Sequence, residues 1–268
     1  METSGTSIPS PTHKPSRMGI SMDIADAGFR IDTPVELRAD EVHLWRVDLE
    51  ATAGEEAYWL TILSTDERAR AARFHFAVDR QRYTAARALL RQVLAAYLSD
   101  DPERLTFAYS PKDKPSLAGI HSQSGLEFNI SHSGDVALFA CTRHRSIGVD
   151  VEKMRNDFDT APVAARFFSL VEREQLAALP PADRHQAFFR CWTRKEAYIK
   201  ATGDGLSLPL SQFDVSIASQ DQSALLATRP DELESKRWSL RDVPVKPGYA
   251  GAVCVHGTGW KLRDWSSQ

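Results

Sequence analysis

The chain alternates between apolar blocks and short polar segments. VHLWRVDL (Val42–Leu49) is apolar on both alternating sets, the pattern of a strand covered on both faces. STDERARAARFHF follows, where Ser64 or Thr65 can cap a helix holding Asp66 and Glu67 in its first turn. A longer helical period runs from about Asp79 to Leu98 through Tyr83, Leu89, Leu90, Val93 and Leu94. SPKDKPSLAG (Ser110–Gly119) is a turn-rich loop, and LEFNI, a SHSGD turn and VALFACT predict a hairpin. SIGVDVEKM predicts a further strand, RFFSLVEREQLAAL and DRHQAFFRCWTRKEAYIKATG two helices, and FDVSIA, RWSLRDV and YAGAVCV closing strands. Strands and helices do not alternate strictly, so the expected class is α+β rather than a parallel doubly wound sheet.

Composition narrows the function. The 268 residues, 42% hydrophobic and 26% charged, suit one large or two modest globular domains. A net charge of -3 gives no reason to expect nucleic acid, so any basic site must be local. The three cysteines are odd in number and widely spaced, against a disulfide framework or zinc knuckle and in keeping with a reducing cytoplasm. No apolar run approaches the roughly 18 residues of a membrane span. Residues 1–38 are rich in Ser, Thr and Pro at their start, and a disordered tail is expected there.

Three segments carry candidate chemistry. In SIGVDVEKM, strand alternation puts Ile147, Val149 and Val151 on one face and Asp150 and Glu152 on the other, about 7 Å apart at Cα. Such a pair is either a solvated outer face or a seat for a hard cation, since Mg²⁺ takes one or two carboxylates and fills its shell with water and phosphate. In CWTRKEAYIK, Trp192, Glu196 and Lys200 form a helical stripe. A Glu–Lys pair at this spacing is also an ordinary surface pair, worth about 0.2–0.5 kcal/mol. In FNISHSG, Ser131, His132 and Ser133 precede Gly134, which suits a plain turn or a phosphate cradle of hydroxyls, imidazole and free amides. There is no G-x-S-x-G elbow and no Walker-type loop.

FNISHSG, IGVDVEK, RFFSLVE, WTRKEAYIKATGDGLSLPL and VKPGYAGAVCV together resemble the phosphopantetheinyl transferases of the surfactin-synthetase-activating type. The match in order and spacing covers about Val42 to Val255. The resemblance implies a pseudo-dimer of two similar α+β halves, here 39–143 and 144–263, with coenzyme A in the cleft between them. It implies transfer of the 4'-phosphopantetheine arm to a serine of an apo acyl or peptidyl carrier protein, releasing adenosine 3',5'-bisphosphate. Carried over by motif, Asp150, Glu152 and Glu196 bind Mg²⁺, and Glu196 doubles as the base that takes the serine proton, directly or through water. Lys200, Ser131 and His132 contact the diphosphate, with Lys200 beside the leaving bisphosphate. Lys114 matches the lysine of a G-K-P block, although Asp113 stands where glycine is usual. Arg68 and Arg87 match positions that grip the nucleotide end, with Arg70 and Arg73 as alternatives to Arg68. Glu172 aligns with an acidic position that is either an exposed helix carboxylate or part of the site. A monomer is expected. Two other readings share these residues: a magnesium-dependent phosphohydrolase of coenzyme A-like diphosphates, and a non-catalytic module that binds carrier proteins.

Overall fold

Both faces of the first strand are covered, as its continuous apolar pattern requires. The computed structural model describes residue 31 and residues 34–50, 54–218 and 224–266. Most of the tail expected over 1–38 lies outside the described residues. Its last part is packed, with Val35 and Leu37 buried in the first core and the Val35 amide donating to the Ala96 carbonyl at 3.1 Å.

The first strand, β1 (Glu41–Asp48), leads into helices α1 (Glu56–Ile62), α2 (Thr65–Ala71) and α3 (Ala77–Leu98). Two short strands, β2 (Phe107–Tyr109) and β3 (Pro115–Leu117), pair with each other, so the turn-rich loop contains a strand. Next come β4 (Leu126–Ser133), β5 (Val136–Arg143) and β6 (Ile147–Lys153), then α4 (Ala161–Phe167), α5 (Leu170–Ala178) and α6 (Pro181–Thr202). The chain ends in β7 (Phe213–Val215), β8 (Leu225–Thr228), β9 (Trp238–Asp242), β10 (Tyr249–His256) and β11 (Lys261–Ser266). RFFSLVEREQLAAL is therefore two helices, because Ser169 caps a new one. Among the described residues no helix is long and apolar enough to cross a membrane.

One sheet has the order β11-β1-β5-β4, the other β6-β10-β9. Trp45 and Val47 of β1 pack with Leu89, Leu90 and Val93 of α3 in one core. Val42 and Leu44 face the other way, into a core shared with Val149, Val151, Val253 and Val255 of the second sheet. A third core lies between α6 and the second sheet, around Phe188, Tyr198, Leu240 and Cys254. The C-terminal half expected over 144–263 yields its last strand to the first sheet: β11 pairs parallel with β1. Leu262 and Trp265 of this otherwise polar strand enter different cores.

One device is used twice along the chain. Ser64 and Glu67 form a capping box on α2, and Glu67 reaches Arg87 and Arg91 of α3 at 2.5 and 2.6 Å. Ser169 and Glu172 form the same box on α5, and Glu172 reaches Lys195 of α6 at 2.7 Å.

Gly148 sets how closely α6 lies on β6. A Cβ there would fall 2.2 Å from the Ala197 carbonyl oxygen and 2.3 Å from the Ala201 amide nitrogen, both rigid helix backbone. Replacing Gly148 by Ala must lift α6, and with it Glu196 and Lys200, off the strand carrying Asp150 and Glu152. Overpacking of this kind typically costs about 1–3 kcal/mol. Urea unfolding of Gly148→Ala should show a loss at the upper end of that range, about 3 kcal/mol. A midpoint equal to that of the parent would mean that the helix does not depend on this contact.

Candidate active site

The alternation in β6 holds: Ile147, Val149 and Val151 enter the inter-sheet core, while Asp150 and Glu152 lie on the opposite face, toward α6. On α6 the half-exposed positions between Cys191 and Lys200 are Trp192, Glu196 and Lys200, the stripe expected from the spacing. Lys200 Nζ donates to Asp150 Oδ1 at 2.6 Å and to Ser131 Oγ at 3.0 Å, and Ser131 Oγ donates to Asp150 Oδ1 at 2.9 Å. FNISHSG is strand through Ser133, not a turn of free amides, because Ser131, His132 and Ser133 pair with Leu138, Ala137 and Val136 of β5. The turn itself is Gly134–Asp135, with Gly134 in the left-handed region at φ 57°.

The three carboxylates feel one another. Burial raises the Asp150 carboxyl above its ordinary value despite the Lys200 charge. Burial and then the Asp150 charge raise Glu152. Burial, with the Asp150 and Glu152 charges, pushes Glu196 up to about 7 against the opposing pull of Lys200. Among the described residues Glu196 makes no hydrogen bond or ion pair, and Asp150 Oδ2 is buried without a partner.

A cavity of about 290 Å³ opens beside this cluster, lined by Ser131, His132, Lys200, Arg70 and Arg87. His132 is exposed at the cavity wall, where partial desolvation by its neighbours and then the charges of Lys200, Arg82 and Arg87 hold its imidazole below the ordinary value. The basic residues divide. Arg70 lies on the cavity wall, 5.9 Å over the Tyr83 ring. Arg87 lines the cavity while anchored to Glu67 and to the Tyr109 hydroxyl at 3.0 Å. Arg68 turns away and donates to the Leu60 and Leu63 carbonyls, and Arg73 is exposed beyond the end of α2. The ammonium of Lys114 donates to the carbonyls of Ile147 (3.2 Å) and Ala201 (3.1 Å), tying the loop before β3 to β6 and the end of α6. Asp113 before it has φ 60°, a left-handed position that glycine fills easily and aspartate tolerates. A second cavity, about 450 Å³, adjoins Glu152 and Trp192 and is walled by Phe158, Phe188 and Phe189.

Two sequence signatures cover most of the chain. The one described as 4'-phosphopantetheinyl transferase, N-terminal, matches residues 50–144, and that of the 4'-phosphopantetheinyl transferase superfamily matches residues 146–254. The chain is 40% identical over 230 residues to 4'-phosphopantetheinyl transferase HetI of Nostoc sp., covering 85% of this chain and 93% of that protein. The chain belongs to the 4'-phosphopantetheinyl transferase superfamily. It is also 32% identical over 209 residues to a 4'-phosphopantetheinyl transferase of Bacillus subtilis, and 29% identical over 209 residues to Sfp of Bacillus subtilis strain 168. Each of these alignments covers 78% of this chain and 89% of the relative.

In this superfamily member Glu172 is neither exposed nor part of the cavity wall. It is fully buried, bound to Lys195, and accepts the Val215 amide at 2.8 Å, so the RFFSLVE block knots α5, α6 and β7 together. Among the described residues the acidic trio whose ligand atoms lie within 4.8 Å of one another is Asp48, Glu50 and Asp135. Lys246 lies against it, 2.7 Å from Asp48 Oδ2 and in contact with Asp135. Asp150, Glu152 and Glu196 stand wider than that.

The raised Glu196 carboxyl has a consequence for stability. The folded chain keeps a proton between about pH 4.5 and 7 that the unfolded chain releases, so stability falls as pH rises through that window. Chelator-treated Glu196→Gln should match the parent near pH 5 and exceed it at pH 8 by about 1–3 kcal/mol, read by urea unfolding. Equal stability at both pH values would contradict the field drawn here.

Proposed function

We propose that this chain transfers the 4'-phosphopantetheine arm of coenzyme A to a serine of an apo carrier protein, releasing adenosine 3',5'-bisphosphate, with Mg²⁺ held by Asp150, Glu152 and Glu196. The observation carrying the reading is the buried, unpartnered Asp150 Oδ2 beside two more carboxylates and a lysine. Three hard oxygen donors next to a cationic cavity suit Mg²⁺ and a diphosphate better than any softer metal. The two halves, each built on a capped helix tied to a long one, form the pseudo-dimer of this reading, with coenzyme A in the cleft between them.

In the transfer, the carrier serine oxygen bonds to the phosphorus bearing the pantetheine, and the bond from that phosphorus to the bridging oxygen breaks. The serine proton leaves, and the bisphosphate departs with the bonding pair. Bound Mg²⁺ would supply Lewis-acid relief of the charge that develops on the phosphate oxygens. Lys200 adds positive charge at the departing group, and Arg70, Arg87 and His132 orient the anionic end in the smaller cavity. Glu196, within reach of the metal seat, takes the serine proton directly or through water. Arg70 rather than Arg68 is the assigned grip of the α2 segment, since Arg68 is engaged by backbone carbonyls. Lys114 serves the cleft by bracing the end of α6.

Mass spectrometry of an apo carrier protein incubated with coenzyme A and the enzyme should show the phosphopantetheine adduct only when Mg²⁺ is present. Asp150→Asn should abolish it in a folded protein. Arg70→Ala should raise the coenzyme A KM about 10- to 100-fold with little change in kcat, whereas Lys200→Ala should chiefly lower kcat. Cleavage of coenzyme A without a carrier would favour the phosphohydrolase reading. Carrier binding with neither product would favour the non-catalytic one.

A further inference from the structure

β4 and β6 are edges of different sheets, and no backbone ladder joins them. Three β4 side chains on one face accept the β6 amides instead. The Val149 amide donates to Asn129 Oδ1 at 2.9 Å, the Val151 amide to Ser131 Oγ at 3.3 Å, and the Lys153 amide to Ser133 Oγ at 3.1 Å. The offset is 20 residues at every rung, so the strands run parallel and in step.

The two serines do more than the asparagine. Ser131 Oγ donates to Asp150 Oδ1 at 2.9 Å, and Ser133 Oγ donates to Glu152 Oε2 at 2.8 Å. A hydroxyl has one proton and two lone pairs. With a strand amide directed at its oxygen, Ser133 has its proton left for the neighbouring carboxylate. That bond fixes one oxygen of Glu152 to the β6 backbone through a single side chain, and Trp192 is a further hydrogen-bond partner of the carboxylate. The same arrangement at Ser131 leaves Asp150 Oδ2 as the unpartnered oxygen.

We propose that Ser133 is a positioning residue of the active site: it holds Glu152 so that its second oxygen faces the divalent cation, as Ser131 does for Asp150. This rests on the metal reading above. Asn129 is an internal control, because it carries a rung of the same ladder and touches no carboxylate.

The test is Mn²⁺ titration of the chelator-stripped full-length chain, with free Mn²⁺ read by electron paramagnetic resonance and urea midpoints recorded for each variant. Ser133→Ala should weaken Mn²⁺ binding about tenfold or more, Ser133→Thr should restore most of it, and Asn129→Ala should stay within about threefold of the parent. Both alanine variants should lose stability, since each removes an acceptor from a strand amide. Unchanged Mn²⁺ affinity in Ser133→Ala, or an equal loss in Asn129→Ala, overturns the proposal while leaving the metal reading intact. A parent chain that binds no Mn²⁺ overturns both.

Discussion

A strand amide buried away from water needs an acceptor, and on its β4 side β6 finds side chains instead of carbonyls. Leaving a buried donor of this kind unsatisfied costs about 1–3 kcal/mol, so the Val149 and Val151 rungs hold the seam between the two sheets. The carboxylates of β6 emerge along this seam, and Gly148 lets α6 settle close enough to bring Glu196 and Lys200 to the same place. Chemistry and architecture therefore depend on the same few contacts, and the site cannot be loosened without loosening the join between the sheets.

The paired capping boxes show how buried charge is distributed around that join. Glu67 draws two arginines of α3 inward, yet Arg87 still reaches the smaller cavity, so one residue both ties helices together and contributes positive potential to the site. On the other side Glu172 and Lys195 are fully buried, and Lys195 donates its remaining bonds to the Leu210 and Phe213 carbonyls at 2.7 and 2.8 Å. Removing either partner would strand a buried charge, typically a loss of about 3–5 kcal/mol. The long helices are pinned at interior positions by these knots, and the Trp192, Glu196 and Lys200 stripe flanks the Lys195 anchor.

Much of this was legible in the sequence. The double-sided apolar pattern of β1, the alternation in IGVDVEK and the i,i+4 stripe on α6 each place side chains through a local period that tertiary packing did not override. Other features were not local. The extended conformation of Ser131–Ser133 depends on pairing with β5, so a Ser-rich segment before glycine looked like a turn. The true partners of Arg68, Lys114 and Glu172 are mostly backbone groups or charges brought near by folding, which residue type and spacing do not reveal. β11 was missed because only Leu262 and Trp265 mark it as a buried strand. Its partner β1 lies more than 200 residues earlier in the chain.

The central claim is that the seam between β4 and β6 presents one cation seat, at Asp150, Glu152 and Glu196. Anomalous scattering from crystals soaked in Mn²⁺ tests it most directly. The account predicts a peak within bonding distance of Asp150 Oδ2, with Lys200 displaced from that carboxylate. A peak confined to the Asp48, Glu50 and Asp135 trio, or no peak beside Asp150, would contradict it.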